Sequence, residues 1–182
     1  MKTLILLLGL SMFISLTGKA QNKENTEIYI SALLGLKKYD NPMITFLLKE
    51  KSSQDNASYK WMKGIYNDLD STTISDFKEK NKTQICFDSI FAPTIKKIVS
   101  EEEIAEFNLN KKKGWADLSK KYPKFPKFLQ FSSIGFSNDK TQAIVCYFAS
   151  GESTYSTEGY YIILEKREDK WEIARKINSI VY

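Results

Sequence analysis

The last third of the chain carries the most regular alternation of hydrophobic and polar positions, and from Phe128 to Tyr182 it predicts an antiparallel meander of four strands. Ala143–Phe148 is continuously apolar and rich in β-branched and aromatic residues, which is typical of a central strand covered on both faces. Tyr160–Leu164 predicts the third strand, and the polar residues 167–170 predict a hairpin turn. A sheet of this kind needs a cover for its apolar face, and helices upstream can supply it.

The first strand of the meander changes its hydrophobic parity part-way. Leu129 and Phe131 point one way in an extended chain, whereas Ile134 and Phe136 have the opposite parity. Because side chains alternate with a period of two along a strand, this change predicts a β-bulge near Ser132-Ser133.

The last strand has the clearest half-buried pattern. Trp171, Ile173 and Ile177 alternate with Glu172, Lys176 and Asn178. This spacing predicts that the three hydrophobic residues share one face and that Trp171 is buried against the helical layer.

Upstream of the meander, hydrophobic spacing and capping residues predict short helices. The serine and threonines at 71–73 are candidate caps, and Ser100 with Glu103 forms a capping box. Met43–Leu48 predicts an added strand, while the apolar run Ile85–Phe91 fits either a strand or a helix. The predicted helices are Thr26–Tyr39, Tyr59–Leu69, one that begins at Ser71-Thr72-Thr73 and stops at Asn81, one that begins at Ser100 and carries Ile104 and Phe107, and Gly114–Lys121.

These elements predict a single α+β domain over residues 21–182, in which a helical part of about 21–127 packs on a mainly antiparallel sheet that ends in the meander of about 128–182. A cystatin-like or transport-factor-like cone of helix and curved sheet is one form of this class.

Residues 1–20 have the features of a secretory signal peptide. Lys2 gives the positive start, Leu4–Leu16 is an apolar core of about thirteen residues, and Gly18-Lys19-Ala20 offers small residues for cleavage after Ala20. An apolar stretch of this length is short for a bilayer span. We therefore expect a periplasmic or secreted protein, with a mature chain that begins at Gln21.

Composition narrows the chemistry. The chain contains no histidine, the commonest general base and metal ligand. It also has no glycine-rich phosphate loop and no calcium-loop pattern. Neither a metal nor another cofactor is predicted. Signal cleavage removes Lys2 and Lys19 and no acidic residue, so the net charge falls from +5 to about +3.

A set of short motifs in the second half of the chain resembles a pattern found in uncharacterised, exported bacterial proteins. The resemblance implies export and a fold, and it implies no activity. Its relatives often have a Cys-Gly element before the third strand, where this chain has Gly151-Glu152-Ser153 and therefore lacks any disulfide of that loop. The motifs are Gly114-Trp115, Tyr122-Pro123, Ile134-Gly135-Phe136, Thr141-Gln142-Ala143, Gly159-Tyr160-Tyr161 and Lys170-Trp171-Glu172-Ile173, in that order.

The two cysteines, Cys86 and Cys146, leave two alternatives open. An oxidising compartment allows them to form a disulfide. Each also lies in an apolar run, which favours two buried free thiols.

Candidate catalytic groups are few. Ser75-Asp76-Phe77-Lys78 has the Ser-x-x-Lys spacing without supporting motifs, and a helix-cap role is favoured. The acids of 101–103 are explained by a helix start. An acid-and-aromatic group fits either a sugar site or a solvated loop, and the loop is favoured. The group consists of Glu152 and Glu158 among Tyr155, Tyr160 and Tyr161.

A basic segment is the strongest surface signal. Between Lys111 and Lys127 it has seven lysines and one acid, Asp117, with interleaved aromatics. One interpretation is contact with an anionic polymer or membrane surface through Lys111, Lys112, Lys113 and Trp115. The favoured one is a solubilising rim whose aromatics pack inward. The seven lysines are Lys111, Lys112, Lys113, Lys120, Lys121, Lys124 and Lys127, and the aromatics are Trp115, Tyr122, Phe125 and Phe128.

We therefore expect an exported, non-catalytic binding or interaction protein, such as an inhibitor or an immunity-type partner. A small hydrolase-type enzyme with a site near the 150–160 loop is the first alternative, and a structural envelope component is the second. The expected partner is another envelope or secreted protein or an anionic polymer. No specific nucleic-acid contact is expected, because the basic segment uses lysine rather than the bidentate arginine, and no span remains after cleavage.

Overall fold

The computed structural model describes residues 23–33, 46–49, 69–87, 95–109, 112–123, 127–151 and 158–178. They contain four helices and seven strands. The helices are α1 over residues 23–33, α2 Ser71–Lys80, α3 Glu101–Ala105 and α4 Lys112–Lys121. The strands are β1 Phe46–Lys49, β2 Ile95–Val99, β3 Lys127–Phe131, β4 Gly135–Phe136, β5 Gln142–Gly151, β6 Glu158–Arg167 and β7 Lys170–Asn178.

The described strands form one sheet in the order β2-β1-β3-β5-β6-β7, with β4 beside the first part of β5. The pairs β3–β5, β4–β5, β5–β6 and β6–β7 are antiparallel, whereas β1 is parallel to both β2 and β3. The α+β class and the C-terminal meander are therefore confirmed, and the cystatin-like cone stays a prediction. Strand β1 corresponds to the strand predicted at Met43–Leu48, and it lies inside the sheet, between β2 and β3. Strand β2 was not predicted, because two lysines interrupt its apolar residues.

Strand β5 is covered on both faces, as its unbroken apolar sequence predicts. One face carries Val145 and Tyr147, which pack with Ile28 and Leu33 of α1. The other face carries Cys146 and its neighbour Ile144, and these pack with Ile74 and Phe77 of α2. Farther along the second face, α3 and α4 pack on β2 and β3 around Val99, Phe107, Trp115, Leu118, Tyr122 and Phe128. The fold therefore has three layers.

The predicted bulge lies between β3 and β4, where the chain changes its parity along the edge of β5. The Ser132 N–H still donates to the Cys146 carbonyl at 2.9 Å, while the Cys146 N–H donates to the Ser132 side-chain oxygen at 2.8 Å. The Ser132 carbonyl is thereby released from the ladder, and it accepts the Tyr29 hydroxyl of α1 at 2.9 Å. Because the parity changes here, Leu129, Phe131, Ile134 and Phe136 all reach the core under α1.

Helix α2 lies directly on the backbone of β4. A Cβ atom at Gly135 would lie 2.4 Å from the Phe77 Cβ, so only glycine permits this approach. The Asp76 carboxylate accepts the Phe136 N–H at 2.8 Å, and it also pairs with Lys80 at 2.6 Å. At the start of the helix, the buried Gln142 side chain accepts the Asp70 N–H at 2.9 Å.

Several predicted helix starts are wrong by a few residues. Thr26 lies inside α1, which is already helical at residue 23. The cap of α2 is Asp70 rather than a residue of 71–73: its carboxylate accepts the Thr72 N–H at 2.6 Å. Helix α4 begins at Lys112 rather than Gly114. The predicted stop of α2 at Asn81 and the Ser100 cap of α3 are confirmed.

The prediction that Trp171 is buried against the helical layer is confirmed, but a single face for Trp171, Ile173 and Ile177 is wrong. The β6–β7 register shifts between Ile163 and Leu164, which leaves Ala174 as an extra residue in β7. This bulge reverses the parity, so Trp171 faces the α1 layer and Ile177 joins the α2 core. Ile173 lies toward the rim and is 37% exposed.

Some predictions fall wholly or partly outside the described residues. They concern the signal peptide, the end of the first helix, most of Tyr59–Leu69, and the Ile85–Phe91 run after Phe87. In the described part of that run, Phe87 is buried under α1. None of the described helices is both long and apolar enough to cross a membrane.

Candidate functional site

The aromatic residues of the basic segment point inward, as the favoured interpretation predicts. Trp115 and Tyr122 of the α4 region are buried together with Phe128 of β3. The Trp115 and Phe128 rings meet edge to face at a centroid distance of 6.0 Å. Trp115 therefore belongs to the core rather than to a ligand-binding surface. Phe125 lies outside the described residues.

The three lysines of the same segment whose side chains the structure describes point outward, and two of them contact acidic residues. Lys113 is exposed, and Lys120 lies 3.8 Å from the Asp117 carboxylate. The Lys121 ammonium lies 2.9 Å from Glu103 and 3.7 Å from Glu106, and its hydrogen bond to Glu103 raises the pKa of Lys121 above its usual value. Lys121 therefore ties α4 to the end of α3. Lys111, Lys124 and the side chains of Lys112 and Lys127 lie outside the described part.

The two cysteines are free. Cys86 is exposed, whereas Cys146 is fully buried in the α2 core. The disulfide alternative is therefore not formed in this structure, and the expectation that both thiols are buried is wrong for Cys86.

The candidate catalytic patterns in the helices have structural roles. The Ser75 hydroxyl donates to the Ser71 carbonyl at 3.0 Å, and the neighbouring Asp76 holds β4 as described above. In the Glu101–Glu103 run, the Glu103 N–H donates to the Ser100 cap at 3.1 Å, and the Glu103 carboxylate contacts the Tyr122 hydroxyl. The second observation agrees with the helix-cap interpretation of Glu101–Glu103. The cap interpretation of the Ser75 pattern is wrong, because Ser75 lies inside α2, whose cap is Asp70.

Two aspartates of the α2 face have lowered pKa values because hydrogen bonds stabilise their ionised forms. The pKa of Asp139 is lowered first by the Ser137 hydroxyl, which donates at 2.6 Å, and then by Thr141. The pKa of Asp70 is lowered first by the Thr72 hydroxyl, which donates at 2.7 Å. Each carboxylate fixes a turn or a helix start through hydrogen bonds that favour its charged form.

Tyrosines and a lysine come together on the α1 face at the end of the meander. Tyr147 and Tyr160 are directly opposite each other on β5 and β6, with ring centroids 5.5 Å apart and planes inclined by 33°. The Lys176 ammonium of β7 lies 3.9 Å from the Tyr160 ring centroid and 5.9 Å from that of Tyr147. At these distances the ring faces attract the cation.

Glu158 extends this group along β6. It lies two residues before Tyr160 and therefore on the same face of the strand, opposite Ala149. Glu158, Tyr160 and Lys176 are each half-buried, whereas Tyr147 is buried behind them. We call Glu158, Tyr160 and Lys176 the tyrosine–lysine surface. Tyr155 and Glu152 of the predicted acid-and-aromatic group lie outside the described residues. Tyr161 does not join the group, because it is buried in the α2 core on the opposite face of β6.

Sequence reasoning selected Glu158 and Tyr160 but missed Lys176 and Tyr147. The continuous apolar run around Tyr147 predicts a core position for it, and the alternation along β7 predicts a solvent-facing Lys176. The missing signal was the bulge at Ala174, which turns Lys176 to the α1 face. Ile177 keeps the parity of Trp171 and Ile173 past Ala174, so the sequence pattern did not reveal this bulge.

Comparisons with known proteins give no match: no family model, no curated protein and no solved structure is similar to this chain. Within the described residues, no three His, Cys, Asp or Glu side chains are grouped so that they could hold a metal ion. The geometry of the site therefore carries the functional argument.

Proposed function

We propose that this is an exported, non-catalytic binding protein of the periplasm or cell exterior, and that a partner protein contacts the tyrosine–lysine surface. The observation that carries the proposal is the Lys176 ammonium at 3.9 Å from the half-buried Tyr160 ring. Its neighbour Glu158 adds a carboxylate to the same face.

This combination of groups suits a protein interface. Tyrosine offers a large rigid ring with a polar hydroxyl, and it is enriched at protein–protein contacts. Because Tyr147 and Lys176 flank the Tyr160 ring, it loses little conformational freedom when a partner binds. The ammonium and the carboxylate of the surface supply charges of both signs that a partner can match.

A non-catalytic role is supported by what the well-placed acids do. Asp70, Asp76 and Asp139 accept hydrogen bonds that hold α2, β4 and the turn before β5. The lowered pKa values of Asp70 and Asp139 keep these carboxylates charged, whereas a general acid needs a raised value. Export is supported by the signal-like residues 1–20.

Site-specific photo-crosslinking in the native host tests the proposal. A photoreactive phenylalanine analogue at position 160 should yield discrete adducts in the envelope or secreted fraction. The same analogue at position 113, an exposed position of α4, serves as the control. Equal adduct patterns from both positions, or none from position 160, would count against this surface. N-terminal sequencing of the same material should recover Gln21, and recovery of Met1 would contradict export.

A further inference from the structure

We propose that the outer edge of β7, from Glu172 to Asn178, binds an extended acidic segment of a partner protein as an added strand. Strand β7 is the last strand of the described sheet. This edge is a different surface from the tyrosine–lysine surface, although β7 contributes to both, so either proposal can fail without the other.

The start of β7 is already occupied by α1. The Trp171 N–H donates to the Glu27 carboxylate at 3.4 Å, and the Ser31 hydroxyl donates to the Trp171 carbonyl at 3.2 Å. The Lys166 ammonium, opposite Trp171, pairs with Glu24 of the same helix at 3.1 Å. These contacts show that the backbone groups of Trp171 point away from β6 and that α1 blocks the edge there.

Beyond Trp171 the outer edge of β7 has outward backbone groups and exposed side chains. Backbone groups alternate in direction along an antiparallel strand, so the N–H and C=O of Ile173 also point away from β6. The Ile173 side chain is 37% exposed on the face of α1, and Glu172 and Arg175 are exposed as well. A sheet edge with outward backbone groups and an exposed apolar side chain is a template for strand addition.

The charges at this edge favour an acidic partner. Arg175 forms no ion pair with another described residue, and with Ala174 it borders a shallow surface depression whose other walls include Ile163 and Glu165. Glu172, by contrast, lies 3.9 Å from Arg167, which also pairs with Glu165. The available charge at the open edge is therefore positive, and a carboxylate opposite Arg175 would complement it.

A second copy of this chain fits the edge poorly. Among the described residues, α1 contacts the outer edge of β7 at Trp171, so the stretch beyond this contact runs from 172 to 178 and is centred on Arg175. Two copies that paired antiparallel over this stretch would place Arg175 opposite itself, and like charges directly opposite destabilise a strand pair. The same register would place Ile173 of one copy opposite Ile177 of the other. Because of the bulge at Ala174, these two side chains lie on opposite faces of the sheet.

Titration of the full mature protein with synthetic peptides tests the proposal. The probe is a short peptide that alternates valine with glutamate, and its counterparts replace glutamate with lysine or carry N-methylated backbone amides. Only the unmethylated acidic peptide should bind, and it should shift the amide resonance of Ile173. Arg175→Glu should weaken its binding about tenfold and favour the lysine peptide, because a surface ion pair is replaced by repulsion. Lys113→Glu, the same charge change on α4, should alter binding less than twofold.

Three results would overturn the proposal. Equal binding of the N-methylated peptide would indicate charge attraction without strand pairing. Equal losses in Arg175→Glu and Lys113→Glu would indicate a field of the whole protein rather than a site. Slow exchange of the Ile173 amide in the protein alone would show that another segment of this chain already pairs with the edge.

Discussion

Asn81 and Ser133 are joined by two reciprocal hydrogen bonds between the end of α2 and the bulge of the sheet. The Ser133 N–H donates to the Asn81 side-chain oxygen at 2.7 Å, and the Asn81 amide donates to the Ser133 carbonyl at 3.2 Å. The same amide also donates to the Phe77 carbonyl at 2.8 Å. Asn81 is fully buried, so these contacts replace bonds that water would otherwise make.

We therefore expect Asn81→Ala to lower the free energy of unfolding by about 2–4 kcal/mol, because it leaves buried backbone groups of Ser133 without their partner. Reversible urea titration measures this loss. Asn81→Asp keeps the acceptor for the Ser133 N–H and removes the two donated bonds, so it separates the contributions. A loss below about 0.5 kcal/mol in the alanine variant would contradict this account of the bulge.

Gly135→Ala should also destabilise the fold, by about 1–3 kcal/mol, because the new methyl group overlaps the Phe77 backbone and forces α2 away from β4. Since α2 would move, the hydrogen bond from the Phe136 N–H to Asp76 should weaken as well. Urea titration gives the energy, and amide exchange at Phe136 reports the displacement. An unchanged exchange rate would show that the contact relaxes without moving the helix.

Trp171→Ala should lower the free energy of unfolding by about 3–5 kcal/mol, the range for removal of a large buried aromatic. Trp171 is 4% exposed, and its ring meets Phe136 edge to face at 5.9 Å. Ile173→Ala, two residues along the same strand, should cost less than about 1 kcal/mol because Ile173 lies at the rim. Similar losses for both variants in a denaturant titration would contradict the rim position of Ile173.

The stability of the turn before β5 should depend on the ionisation of Asp139. The folded-state pKa of Asp139 lies below its ordinary value of 3.8, chiefly because the Ser137 hydroxyl donates to the carboxylate. The stabilisation is therefore complete above the unfolded-state pKa and is lost as the pH falls through the lower folded value. Wild type should exceed Asp139→Asn in stability at neutral pH, and the difference should shrink below about pH 4, as denaturant titrations at several pH values can test. A difference that stays constant would refute this linkage.

Binding to an anionic polymer should depend on overall charge rather than on the basic segment. Glutamine replacement of Lys111, Lys112 and Lys113 should reduce retention on heparin by the same small amount as replacement of Lys78, Lys80 and Lys82. Both variants lose three positive charges, and a site-specific contact would show a steeper salt dependence. A large loss confined to the first variant would instead identify the segment as the binding surface.

The sequence was most informative where one residue's environment depends on its near neighbours. The apolar run of β5 predicted a strand covered on both faces, and the parity change around Ser132-Ser133 predicted the bulge. The turn at 167–170 and the Ser100 cap were also evident, because these features depend on alternation or on capping within a few residues. The α+β class follows from these local patterns.

The tertiary structure decided what depends on distant contacts. The α2 face of β5 became buried because Gly135 lets Phe77 approach the backbone, a relation across almost sixty residues that no local pattern encodes. The bulge at Ala174 turned Ile177 to the α2 core and brought Lys176 to Tyr160, so it created the candidate site. The position of an extra residue in a strand ladder depends on the partner strand and its register. Alternation along a single strand shows which side chains share a face only where the ladder stays regular.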